Sequence, residues 1–108
     1  VGVVIYRDQL EAVYRLIEKP ENWTQEYDAR DSLGEEVMFG SSAACCWCLS
    51  GAFAKAGLGH STEIGRTLMP DSEDEYAFVQ FNDTHTHAEV LALLASAIER
   101  APVREVAP

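Results

Sequence analysis

The sequence predicts a small, mainly α domain of the α+β kind, a helical bundle of four or five helices with a two-stranded β-hairpin. Three observations carry this. Met38 to Ala54 contains no charged residue, although 24% of the chain is charged. Three Ser/Thr/Asp-x-x-Glu patterns mark helix starts at Asp8, Ser72 and Thr86. Two apolar stripes at helical spacing lie near the two ends of the chain.

The first helix opens with Asp8 as cap and Glu11 three residues on. Leu10, Val13, Tyr14 and Ile17 fall on one face, while Glu11 and Arg15 form a favourable i, i+4 pair on the other. Pro20 disfavours α geometry at Lys19 and ends the helix. Val3-Val4-Ile5-Tyr6 reads as an extended lead-in that packs on the core. Tyr27-Asp28-Ala29-Arg30 and Glu36-Val37-Met38-Phe39 flank Asp31-Ser32-Leu33-Gly34, a turn sequence in which Gly34 supplies positive φ. A lone ribbon of two strands is marginal and needs support from the helices, with Trp23 as its anchor.

The uncharged run is read as the central helix. It starts at Ser41 or Ser42, ends near Gly57, and is too short, at about 12–15 helical residues, to span a bilayer. Gly51 within it marks the close approach of another helix. Thr62 to Met69 is a short helix stopped by Pro70. Residues 72–81 fit either a strand, by alternation, or a helix, by the Ser72 cap; the cap favours helix. Asn82-Asp83-Thr84 reads as a turn. Thr86 and Glu89 open the last helix, whose apolar face is Val90, Leu91, Leu94, Ala97 and Ile98, and Pro102 closes it.

At 108 residues the chain is one domain, 1–108, with a core over 8–101 and a flexible tail over 102–108. A chain of this length buries roughly 60–70% of its unfolded surface, enough to fold without disulfide or metal. Val1 to Ile5 is too short for a signal-peptide core, so the expected compartment is the cytoplasm, with no membrane association. Eighteen acids against eight scattered bases give a formal charge of −10. That balance repels phosphates and argues against direct nucleic-acid binding. It fits solubility alone, or a protein partner with a basic surface.

Trp23-Thr24 with Ala29-Arg30-Asp31 and Gly34, Ala44-Cys45-Cys46-Trp47-Cys48-Leu49-Ser50-Gly51-Ala52, and Asn82-Asp83 with Thr86, Glu89 and Val90 form a recurring combination. It resembles a family of small bacterial and phage proteins of unknown function, over roughly residues 8–101. Phe81 stands where that family usually has a Trp before the Asn-Asp pair. The resemblance implies a bacterial or phage source and carries no catalytic residues or cofactor.

Two chemical readings compete with a structural one. Cys45 and Cys48, one helical turn apart, could share a zinc ion with His60, His85 or His87, but no second Cys pair completes a tetrahedron. Cys45 in the first turn of its helix could serve as a nucleophile with a His base and Asp83, but no glycine-rich oxyanion loop follows. Buried cysteines acting as small hydrophobes account for the pattern more simply. No metal or cofactor is therefore expected. The His85-x-His87 pair and the acids at Asp71, Glu73, Asp74 and Glu75 read as solvated helix starts. Trp23, Arg30 and Asp83 are the residues least explained by local structure and are the candidate binding residues, with Arg30 pairing Asp31 or Asp83. The sequence thus points to a non-enzymatic accessory or protein-interaction protein, with a metal-binding or Cys/His-dependent enzyme as the alternative. Oligomeric state is not encoded in any readable pattern.

Overall fold

The computed structural model describes residues 4–59 and 61–104. Among these the elements run α1 (Arg7–Ile17), a 3-10 turn (Pro20–Asn22), β1 (Ala29–Arg30), β2 (Cys46–Trp47), α2 (Leu49–Lys55), α3 (Ser61–Leu68), α4 (Ala77–Thr84) and α5 (His87–Arg100). The fold is mainly α, with five helices and one two-stranded antiparallel sheet.

Helix α1 forms where the periodicity places it. Leu10, Val13 and Ile17 are fully buried, and Tyr14 packs at the edge of the same cluster. Its start lies earlier than the Asp8 cap implies: Gln9 Oε1 accepts from the Tyr6 backbone N–H at 2.8 Å. Ile5 is buried in the core just ahead of it. Helix α5 lies antiparallel to α1, and both ends of the pair are tied. The Arg7 guanidinium donates to the Ile98, Glu99 and Ala101 carbonyls at the end of α5. At the other end His87 Nε2 sits 2.7 Å from the Ile17 carbonyl. A carbonyl only accepts, so the proton is on Nε2. The Thr86/Glu89 capping box forms as expected, with both reciprocal bonds present.

The uncharged run departs from the central helix the sequence predicts. Ser41 to Cys45 is irregular, Cys46-Trp47 is a strand, and the helix begins only at Leu49, with Cys48 as its N-cap. Charge-free, apolar residues are equally suited to a strand covered on both faces, and periodicity cannot separate the two over so short a run. Here the tertiary partners decide. Ala29 pairs with Trp47 and Arg30 with Cys46, the Trp47 carbonyl accepts from Thr24 N, and the Trp47 indole donates to Phe39 O at 3.0 Å. Ser41 Oγ also accepts from Ala43 N, a local bond that competes with helix formation. The helix ends as expected, with Gly57 at φ +82°.

The Asp31–Gly34 turn forms, held by Asp31 Oδ1 to Leu33 N and Glu35 N and by Gly34 at φ +81°. The second arm expected at Glu36–Phe39 meets β1 at a single Arg30–Glu36 bridge, through Ala29 O and Asp31 N, on the edge opposite the one that Cys46-Trp47 pairs with.

Gly51 does mark a close approach, but of backbone rather than a helix. A Cβ there would collide with the Asp28 carbonyl, which also accepts from Cys48 N. Gly65 plays the same part between α3 and the Glu75 backbone, 2.5 Å from where its Cβ would lie. Of residues 72–81, expected as helix from the Ser72 cap, only 77–81 are helical, because α4 starts at Ala77. Ser72 instead turns the chain locally by accepting from Asp74 N. Asn82, Asp83 and Thr84 form the last turn of that helix, not a connecting turn.

Candidate functional site

The polar centre of the molecule is built around Asn82, the one buried polar residue among those described. Its side-chain oxygen accepts from Trp23 Nε1 at 2.7 Å and from Leu49 N at 3.1 Å. Its side-chain nitrogen donates to Thr24 O and Asp83 Oδ1, each at 3.1 Å. The amide capacity of one side chain is thus fully used. Leu49 N is one of the unpaired donors that begin any helix, so Asn82 completes the start of α2 from a distance.

The loop 23–26 is laced to 82–85 residue by residue. Trp23 reaches Asn82 through its indole, and Thr24 through its carbonyl. Gln25 Nε2 donates to the Asn82 and His85 carbonyls. Glu26 N donates to Asp83 Oδ1 at 2.8 Å. Glu26 adopts φ +74°, a left-handed conformation that costs a non-glycine residue roughly 1 kcal/mol or more. The Asp83 bond holds it there.

The three candidate binding residues meet at this loop. Trp23 lies between Asn82 and the His87 ring, with centroids 5.4 Å apart. Asp83 caps the loop backbone. Arg30 grips the same loop from the other side, donating to Thr24 Oγ1 at 2.8 Å and Gln25 O at 3.2 Å, and to Gly34 O at 2.9 Å. Its guanidinium also covers the Tyr27 ring at 4.5 Å. The carboxylate it pairs with is Glu26, at 4.0 Å, rather than Asp31 or Asp83. Arg30 and Asp83 therefore act on one loop without touching each other, because the intervening backbone offers both of them partners. Sequence reading missed Asn82 and Gln25. Asn82 was legible only as a polar residue one helical turn after the apolar Phe78, on the same face of α4.

The cysteines are free. Cys45 is exposed and precedes β2, so it does not lie in the first turn of a helix. Cys48 Sγ accepts from Gly51 N at 3.3 Å as the N-cap of α2. Burial pushes its pKa up to about 11, and the nearby Asp28 carboxylate adds to the shift. Cys46 is also raised, first by burial and then by its neighbour Cys45. Both groups are thiols, not thiolates, near neutrality. His85 stacks on Phe81 and places Nδ1 3.0 Å from the Phe81 carbonyl. His87 is committed to Ile17. His60 lies outside the described residues. Among the described residues no three His, Cys, Asp or Glu side chains converge as a metal site. No helix among them is long and apolar enough to cross a membrane.

Fold and centre together define a class: a small mainly helical domain whose polar core joins an internal loop to the α4–α5 junction. The chain belongs to a family of unknown function, DUF6197, whose model matches residues 5–100. No curated protein and no solved structure matches it significantly.

Proposed function

We propose that the protein is a non-enzymatic interaction or accessory protein of a bacterium or phage, working in the cytoplasm against a protein partner with a basic surface. The observation behind this is the state of its carboxylates. Most lie exposed on the surface, and among the described residues only Glu26 and Asp8 stand within ion-pairing distance of a base. Unpaired surface acid speeds association with basic partners and repels nucleic acid. The polar residues that could have served catalysis are tied to backbone and to one another, which favours support of the fold over chemistry. Trp23, Arg30 and Asp83 would then shape the interacting face by fixing the 24–26 loop rather than by touching the partner.

The test is affinity capture from a bacterial host, with elution by stepwise salt. A stoichiometric protein partner released by moderate salt is the expected result. Recovery of nucleic acid alone, or stoichiometric zinc in the purified protein, overturns the reading.

A further inference from the structure

Between the β1 loop and the segment that follows the Asp31–Gly34 turn lies an open groove of about 390 Å³, lined by Asp28, Glu36, Val37, Met38 and Phe39. Its floor is apolar and fixed. Val37 N donates to Ala29 O at 3.1 Å, and Phe39 O accepts from the Trp47 indole at 3.0 Å. Val37 and Phe39 pack onto the core from there. Met38, held between these two anchors, is nevertheless 74% exposed. A methionine presented from an anchored backbone is a surface feature of the fold, and its unbranched thioether adapts to varied apolar partners.

The charge around the groove is one-sided. Of the residues lining it, two are carboxylates, Asp28 and Glu36, and none is a base. Arg30 is turned away, its guanidinium bonded to Thr24, Gln25 and Gly34. Asp28 and Glu36 face the groove without a basic partner among the described residues.

We infer that this groove docks a segment of a partner protein in which basic side chains flank a large apolar one, the apolar group seated on Met38 and the bases reaching Asp28 and Glu36. The inference rests on the interaction reading above and places that interaction. Charge complementarity selects the occupant: an acidic apolar segment would be repelled, and a purely basic one would leave the apolar floor wet.

The test is a nuclear magnetic resonance titration of the full chain with three synthetic nine-residue peptides at low salt: alternating Lys and Leu, alternating Lys and Ser, and alternating Glu and Leu. The Lys/Leu peptide is expected to shift the amides of residues 36–39 and the Met38 methyl, saturably and with affinity that falls as salt rises. The Lys/Ser peptide should bind more weakly and the Glu/Leu peptide not at all. Met38→Ser should weaken Lys/Leu binding by about five-fold or more, and Glu36→Gln by about two- to five-fold. Both positions are exposed, so both variants should keep the native spectrum elsewhere. Shifts centred on Asp71–Glu75, or unchanged affinity in Met38→Ser, overturn the groove while leaving the acidic-docking reading in place. Absence of binding by any basic peptide counts against both. Concentration-dependent shifts at residues 36–39 without peptide would assign the groove to a second copy of the chain and overturn the proposal.

Discussion

Asn82 uses both lone pairs and both amide protons inside the fold, which makes it the residue whose loss is hardest to repair. Asn82→Ala leaves Leu49 N buried without an acceptor and removes the partner of the Trp23 indole. It should destabilise by about 2–4 kcal/mol, measured by urea denaturation. A value under about 1 kcal/mol would mean that water replaces the amide. Cys48 gives a second residue-level expectation, in its pH dependence. The folded pKa is raised from 9.0 to about 11, so the unfolded chain loses this proton first as pH rises. Stability is therefore whole below pH 9 and falls between about pH 9 and 11, with a limiting slope of about 1.4 kcal/mol per pH unit from this group. Cys48→Ser keeps a cap at α2 and removes the thiol, so its stability profile should be flatter than that of the parent over the same window.

At the scale of elements, α2 is the part the fold most constrains. Leu49 is fully buried, and Leu49→Ala should cost about 2–5 kcal/mol. Glu18→Ala, at an exposed position just after α1, should change stability by less than about 0.5 kcal/mol. Gly51→Ala separates propensity from packing. Alanine improves an open helix by about 1 kcal/mol, yet here its methyl meets the Asp28 carbonyl. A net loss of about 1–3 kcal/mol in thermal or chemical unfolding is expected; a gain would show that the loop at Asp28 yields freely. The 24–26 loop supplies a test of coupling. Arg30 and Asp83 do not touch, but both bond to it, so a double-mutant cycle of Arg30→Ala and Asp83→Ala should show an interaction above about 0.5 kcal/mol. Additive losses would mean that each holds its own end independently.

For the whole molecule, the governing quantities are one packed core and an unbalanced surface. The Cα radius of gyration is 13.6 Å, against roughly 13 Å for a compact domain of 100 residues. A formal charge of −10 on so small a body is self-repelling. Raising sodium chloride from 20 to 300 mM, roughly from a 20 Å to a 6 Å screening length, should raise Tm by about 2–5 °C. A fall in Tm would show that the ion pairs at Glu26 and Asp8 outweigh the repulsion.

What the sequence determined by itself is local. The stripe Leu10–Ile17, the Thr86/Glu89 capping box, the Asp31–Gly34 turn, the Gly57 helix end and the mainly helical class all depend on residues within one or two turns of each other, where side-chain chemistry acts directly on the backbone. Net charge was likewise legible, because it needs no geometry. The tertiary structure alone decided the rest. Cys46-Trp47 became a strand because Ala29 and Arg30 offered it an edge, and an uncharged run has no periodicity with which to resist. Asn82 and Asp83 became helix with side chains that found partners in a loop 57 to 59 residues away, while the Thr84 hydroxyl donates to the Gln80 carbonyl within the helix. Trp23 and Asp83 converge on that loop for the same reason, whereas Arg30 reaches it locally, bonding Gln25 and Thr24 five and six residues back. Polar side chains are assigned by what lies across the core from them, and that distance in sequence carries no local signal.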